Sequence, residues 1–508
     1  MRFCKIVCVL LCLLLLGTSL CALAEEAPQD VRTLLEEAGY YVQSGKLYEL
    51  DTLEEASNGR LLSCFGNNAG SSYMVLDLPC APNQEPATGV PQLNWPDEEP
   101  SEYYDETADN ASANPYFMPV GWQFKLRQDE AIVMIGELPP ECKYFSFVNY
   151  ILFTEEKEGK DYSNQVGTFS VGSEDTTLYR PVFGSIGEPL NMQNILYEGD
   201  SAFGGKAVIV ISVNETTTQE VVAQLVAAGY DESIINVMAI PDVYNIGLQD
   251  GADTFAVLGR TSQPADQAAM DAYMDALPQQ MTVYRVTPKT EREADPYENE
   301  TVIPRGTGVH EAALVEDAYA NLDAMRQAII NQYADAYDYE ELTSVIAVPE
   351  GLTAYFNDTN AQGDNRDASY LMTEDFTLNS DEDFVVVYGI NHTATGKAQY
   401  SNAILYARPM LNGVASVYDS EFEGSAEAYL PEGTADADKF YVYKFARTKD
   451  DEFTAQVEYS TGNESGKYYG VDNGESLFMA FRAYLDQSGV GPSYYEIIYD
   501  RAIVFHKK

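Results

Sequence analysis

The sequence predicts a multidomain α+β protein in which β-rich, sandwich- or jelly-roll-like regions flank a ferredoxin-like α/β module and one long helix. Three observations carry this. Short apolar or alternating runs bounded by Gly, Asn, Asp and Pro fill residues 116–205 and 344–508, the pattern of half-buried strands. Strand-like and helix-like segments alternate twice between Lys206 and Pro288. A single apolar stripe at helical spacing runs from Glu311 to Ala336. At 508 residues and 45% hydrophobic content, the chain is long and apolar enough to fold into two to four domains.

Residues 1–24 read as a secretory signal peptide. Arg2 and Lys5 supply the positive start, Ile6 to Leu16 is an unbroken apolar run, and Ala22-Leu23-Ala24 fits a small-x-small cleavage site. That run falls short of the roughly 20 residues a bilayer span requires, and no later stretch is apolar enough for a membrane span, so the expected location is outside the cell or in its envelope. Residues 25–83 form a small ordered segment: a helix over Asp30 to Ser44 stopped at Gly45, then strand-like runs Arg60 to Phe65 and Tyr73 to Leu78. An acidic, Pro-rich linker follows at 84–115. The β-rich region 116–205 contains Trp122 to Leu126, Ala131 to Ile135 and Tyr144 to Phe153.

The module at 206–290 reads strand Ala207–Val213, a helix opened by a Thr217–Glu220 capping box, and strand Ile234–Ile240. Strand Thr254–Leu258, helix Pro264–Leu277 and strand Met281–Val286 repeat that order, which is the β-α-β-β-α-β order of a ferredoxin-like fold. A linker and the long helix occupy 291–343, and a C-terminal β-rich domain occupies 344–508. Whether the two β-rich regions form one sandwich or two is open at this level.

The charge balance restricts function. With 80 acidic against 30 basic residues, the net charge is −50. Such a surface repels phosphate backbones, which argues against nucleic-acid binding. Motifs for a serine elbow, a zinc helix, a phosphate loop and a dinucleotide fold are missing, so no catalytic residue is identified. Export permits a disulfide, and Cys64 with Cys80 closes the shortest loop, although Cys142 is an equally permitted partner.

Two polar stretches remain as candidate sites. The first is Asp358 to Asp367. Its Gly363-Asp364-Asn365-Arg366 resembles the GDNR box of bacterial signal peptidases over those residues; no nucleophilic serine or lysine-base motif accompanies it, and the match is read as coincidence. Asp358, Asn360 and Asp364 also imitate the start of a calcium loop whose twelfth position is Ser369 rather than Glu, so calcium is the one cofactor this stretch suggests. The commoner role for such residues is turn capping. The second stretch places Asn391, His392 and Lys397 between a strand and a turn, where they suit an anionic or sugar ligand, general-base chemistry, or simple loop fixing. Asp364 and Arg366 join them as candidate ligand-binding residues. Arg305 to His310 and Tyr494 to Arg501 show the same ambiguity, with Glu311 suited to a helix start. The 37 tyrosines offer rigid apolar faces with polar tips.

Together these features predict an exported binder of an extracellular ligand such as glycan or cell-wall material. The alternatives are a secreted hydrolase using carboxylates and His392, and a protein-interaction or structural factor.

Overall fold

The computed structural model describes residues 30–57, 64, 66–68, 70–84, 122–162, 171–172, 177–298, 302–460 and 470–508. The signal segment, the linker from Glu85 onward and most of the run Arg60 to Phe65 lie outside the described residues. The molecule is mixed α+β and strand-rich, with several sheets, one of them nearly barrel-shaped.

The largest sheet has ten strands in the order Val171–Gly172, Leu178–Asn191, Cys142–Glu155, Thr254–Pro264, Ser71–Asp77, Tyr40–Leu50, Met281–Pro288, Ala131–Glu137, Lys206–Ser212 and Ile235–Ala239. It bends at Tyr40–Leu50. The first half of that strand (Tyr40 to Gly45) pairs with Met281–Pro288, and the second half (Lys46 to Leu50) with Ser71–Asp77. Gly45 sits at the handover, where a β-carbon would stand 2.6 Å from the Asp77 carbonyl and 2.9 Å from Val283 Cγ1. A bare backbone lets the two partners close around one strand. Helix Gln267–Gln280 lays Met270, Tyr273, Met274 and Leu277 against one apolar cluster of this sheet, alongside Leu47, Met134 and Ile209. Helices Val31–Glu37 and Glu215–Ala227 cover another, with Leu35, Val221 and Leu225 against Val133, Val208 and Val210.

The C-terminal strands build two further sheets. One runs Tyr337–Leu342, Arg501–Lys507, Phe384–Ile390, Phe440–Ala446, Thr454–Gln456. The other contains Ser344–Ile346, Ala368–Thr373, Ser476–Tyr484, Tyr400–Ala407 and Asn412–Tyr418, with Phe376–Thr377 pairing to Ser476–Tyr484. They pack face to face: Leu371, Leu405, Met479 and Phe481 of the six-stranded sheet share a core with Val385, Val387, Phe445 and Val504 of the five-stranded one. Period-2 alternation then dictates the outer faces. Val386, Tyr388, Val442, Ile503 and Phe505 turn outward beneath helix Ala318–Tyr333, meeting Leu322, Met325 and Ile329. Tyr370, Tyr406, Phe478, Ala480 and Arg482 face the large sheet.

Several expectations change. The ferredoxin-like pairing does not form. Lys206–Ser212 and Ile235–Ala239 pair in parallel, but Thr254–Pro264 pairs with Ser71–Asp77 and Cys142–Glu155, and Met281–Pro288 with Tyr40–Leu50 and Ala131–Glu137. Strands from earlier in the chain occupy the edges that an isolated module would pair internally. The strands of 116–205 likewise belong to the large sheet rather than to a sandwich shared with 344–508.

The helix expected over Asp30 to Ser44 stops at Glu37, because Gly39 (φ +96°) reverses the chain and Tyr40 and Val42 alternate inward as a strand. The expected capping box is replaced by Asn214, which accepts from the Thr217 amide at 2.9 Å while Thr217 is itself buried. The long stripe breaks at Asp317 (φ +49°), leaving a short 3-10 turn at Glu311–Ala313 before the helix Ala318–Tyr333.

The bend makes a test. Gly45→Ala forces the backbone of Asp77 or the Val283 side chain to move, and the expected loss is about 1–3 kcal/mol in urea unfolding. An unchanged midpoint would show that the sheet does not close tightly on Gly45.

Candidate functional site

The three ambiguous clusters around His310, His392 and Tyr494 to Arg501 meet in one buried ion network. His392 Nδ1 lies 2.9 Å from Glu311 Oε1 and Nε2 lies 3.4 Å from Asp500 Oδ2. Glu311 also accepts from the Ile498 amide (2.8 Å) and the Thr395 hydroxyl (2.7 Å), and Asp500 accepts from the Tyr441 hydroxyl at 2.6 Å. Burial alone would lower the His392 pKa, but the facing carboxylates of Glu311 and Asp500 raise it well above the ordinary imidazole value. Glu311 moves the opposite way: burial pushes its carboxyl up, and His392 with its hydrogen-bond donors brings it below the usual range.

Lys397 donates to Glu496 Oε2 (2.5 Å) and Thr307 Oγ1 (2.9 Å), while Asn391 Oδ1 accepts from the Thr393 amide and hydroxyl. Asn391, His392 and Lys397 are therefore brought together, but as internal pairs that hold three loops over the outer face of the five-stranded sheet. Both His392 nitrogens face carboxylates, so no free imidazole nitrogen is offered to a substrate.

The stretch Asp358 to Asp367 is a clamp between the large sheet and the C-terminal sheets. Asp364 accepts from the Ser185 amide (2.7 Å), the Ser185 hydroxyl (2.7 Å) and the Gly351 amide (2.9 Å). This needs strand Leu178–Asn191 and the turn at Gly351 almost in contact: a β-carbon on Gly351 would lie 2.3 Å from the Ser185 carbonyl oxygen. Arg366 donates to both Glu188 oxygens (3.0 and 3.1 Å), to Glu350 and to the Ile303 carbonyl (2.6 Å). Asp367 accepts from the Tyr144 hydroxyl (2.7 Å) and Asn191 Nδ2 (2.8 Å). Burial raises Asp364 to about 6 and Asp367 to about 7, only partly offset by these donors.

The calcium donor set does not fit this geometry. Asp358 is surrounded by Lys157 (2.6 Å), Lys160 (2.5 Å) and Arg180 (3.1 Å), so its carboxylate already faces three cations. Asn360 Oδ1 caps the turn at Gln362 (2.7 Å), and Asp364 is committed to Ser185 and Gly351. No group of three or more His, Cys, Asp or Glu side chains among the described residues is arranged to hold a metal ion. The disulfide is corrected as well. Cys64 and Cys80 are not bonded; Cys64 is buried in the core beside Val75 and Trp122, its Sγ 3.7 Å from the Thr52 carbonyl, and burial pushes its thiol up to about 12.

What sequence reasoning missed is a cavity of about 110 Å³ between the large sheet and the outer face of the six-stranded sheet. Its wall combines Tyr73, Phe183 and Arg260 from one side with Tyr370, Tyr406 and Arg482 from the other. Asp364 lines it too, with its carboxylate turned to Ser185 and Gly351. Both arginines are more than nine-tenths buried, and the Nε of each has no hydrogen-bond partner among the described residues. Arg260 donates to the Tyr150 hydroxyl (2.6 Å), and Arg482 to the Gly66 carbonyl. The Arg482 guanidinium also lies 5.4 Å from the Tyr370 ring centre and 5.5 Å from that of Tyr406.

Neither has a carboxylate within ion-pair distance among the described residues. The third cavity arginine, Arg408, does, at Asp375. Phe183 (φ +36°) and Gln362 (φ +52°) on the wall hold a backbone conformation unusual for residues with side chains, strain that accumulates at functional sites. The legible signal was an arginine inside an apolar strand, as in Ala480-Phe481-Arg482-Ala483 and Leu258-Gly259-Arg260, where an inward guanidinium must find a partner.

Two tests follow. His392→Ala strands Glu311 and Asp500 as buried unpaired carboxylates, with an expected loss of about 3–5 kcal/mol by chemical denaturation. A near-neutral result would show the network does not hold these loops. Asp364 and Asp367 set a pH dependence. Their folded pKa values lie above the ordinary aspartate value, so the native state binds more protons and stability falls as pH rises. The window runs from about 4 to about 7, at up to about 1.4 kcal/mol per pH unit for each carboxyl. Asp367→Asn, which mimics the protonated group, should flatten part of that slope in melting curves. An identical slope would sink the assignment.

No protein-family model matches the chain, and no curated protein does. Two solved structures share a loose likeness. A putative uncharacterized protein from Burkholderia cenocepacia aligns at 10% identity and TM-score 0.34, over 87% of this chain and 78% of that one. The VPA0106 protein from Vibrio parahaemolyticus aligns at 10% identity and TM-score 0.30, over 75% and 87%. At these scores neither likeness bears on fold or function.

Proposed function

We propose that this chain is an exported binding protein that encloses a small ligand, or the end group of a larger extracellular one, between its large and six-stranded sheets. The observation that carries the reading is the cavity with two buried arginines and a tyrosine-rich wall. A binding site of this kind is concave, mostly apolar and provided with a few polar groups. Tyr73, Tyr370 and Tyr406 supply flat faces suited to a sugar ring or another planar body.

The size of the space limits the ligand. At about 110 Å³ the space is small beside ligand pockets of roughly 300–1,000 Å³, which favours one ring over a polysaccharide chain. The glycan expectation therefore narrows to a single sugar residue or a comparably small compound. Export rests on the signal-type N-terminus, and the charge of −50 suits a soluble chain that avoids anionic surfaces. The hydrolase alternative is weaker, because His392 faces a carboxylate at each ring nitrogen and is buried within the ion network.

A thermal-shift screen of residues 25–508 against monosaccharides, small planar acids and their neutral amides tests the reading. A ligand present at 100 times its dissociation constant should add about 2.7 kcal/mol of stability. Ala480 lines the cavity, so Ala480→Phe should fill it and abolish that shift. A flat screen, or a ligand that still shifts Ala480→Phe fully, would refute the cavity as the binding site.

A further inference from the structure

The geometry points to a specific ligand class, resting on the cavity reading above: we infer that Arg260 and Arg482 together take the carboxylate of a small acid whose body is a flat, apolar ring.

This chain is rich in acids, and many of its buried or half-buried cations are placed beside them: Arg285 with Glu130, Arg180 with Asp358, Arg366 with Glu188, Lys397 with Glu496. Arg260 and Arg482 have no such partner among the described residues, as Lys125 and Arg447 have none elsewhere, but these two share one cavity. Around them stand phenols rather than carboxylates: Tyr150 and Tyr370 near Arg260, Tyr370 and Tyr406 near Arg482. Burial pushes those three phenols above their ordinary value, so they stay neutral and supply no counter-charge to the guanidinium groups. Asp367 is close enough to feel Arg260, but it is hydrogen-bonded to Tyr144 and Asn191. A buried charge without a counter-ion is costly, and a bound anion is the direct way to remove that cost.

Both guanidinium groups line the cavity and approach Tyr370: Arg260 Nη1 lies 3.5 Å from its hydroxyl, and Arg482 lies over its ring. Planar guanidinium groups brought from two sheets to one cavity suit the two oxygens of a carboxylate. Much of the remaining wall, beside Thr52, Asn67, Gln362, Asp364 and Arg408, is apolar. Leu50, Phe183, Leu258, Met372, Leu411 and Phe478 belong to that part, which suits a ring without hydroxyl groups better than a sugar.

The experiment compares benzoate with benzamide, and with galacturonate, by calorimetry on the wild-type chain, so that the main contrast needs no variant. Benzoate should bind at least tenfold more tightly than benzamide. Arg482→Gln should remove that preference, and Arg482→Lys, which keeps the charge but loses the fork, should restore only part of it. Melting curves of each variant check folding, and if Arg482→Gln unfolds, Arg260→Gln takes its place. Equal binding of benzoate and benzamide would overturn the inference while leaving the cavity reading intact. Tighter binding of galacturonate than benzoate would overturn the apolar ring. Binding that survives Ala480→Phe would place the acid elsewhere and overturn both readings, as would no binding by any of the three.

Discussion

The close approach of strand Leu178–Asn191 to the turn at Gly351, closed by Asp364, is the contact on which the architecture depends. Asp364 bonds to both sides of that approach, and its neighbours extend the joint. Arg366 ties Glu188 to Glu350, Asp367 reaches Tyr144 and Asn191, and the Ala361 and Gly363 amides donate to the Val182 and Phe183 carbonyls. Ten consecutive residues thus connect the large sheet to the start of the C-terminal sheets. The Asp364 and Asp367 carboxylates are buried, which makes the clamp expensive unless their donors are present. Ser185, Gly351, Tyr144 and Asn191 are those donors. The cavity lies beside this joint and takes part of its wall from it, through Phe183, Gln362 and Gly363.

Charge placement is the second organising constraint. In a chain of net charge −50, a buried cation is easily given an acidic partner. The His392 network shows the consequence: an imidazolium between two carboxylates, with Tyr441, Thr395 and the Ile498 amide meeting the remaining lone pairs. Such a cluster contributes loop geometry more than raw stability, because desolvation offsets much of the attraction. Its histidine is structural for the same reason that it looked chemical in the sequence: a polar residue at a strand end needs partners. Against this background, two buried arginines that share one cavity with no carboxylate at ion-pair distance among the described residues carry the functional reading.

The layering explains why that pair lies where it does. The six-stranded sheet uses one face for the core it shares with the five-stranded sheet, and alternation sends Tyr370, Tyr406 and Arg482 to the other. The large sheet presents Tyr73, Leu258 and Arg260 opposite. Neither sheet makes the cavity alone, so its chemistry exists only once the clamp has joined them.

The sequence by itself determined the strands and helices whose periodicity is local. Ala131–Glu137, Phe384–Ile390, Ser476–Tyr484 and helix Gln267–Gln280 are all legible from alternation or an apolar stripe within one segment. It also identified the stretches around His310, Asp364, His392 and Tyr494 to Arg501 as unusual, though not which would meet. Strand pairing was out of reach. An apolar strand has two bonding edges, and nothing in Thr254–Pro264 says that Ser71–Asp77 and Cys142–Glu155 will fill them, so a plausible ferredoxin-like order gave way to a ten-stranded sheet. The cavity was hidden for the same reason. Arg260 and Arg482 are 222 positions apart, and only the packing of two sheets brings their guanidinium groups around one tyrosine, because burial and charge compensation depend on neighbours distant in the chain.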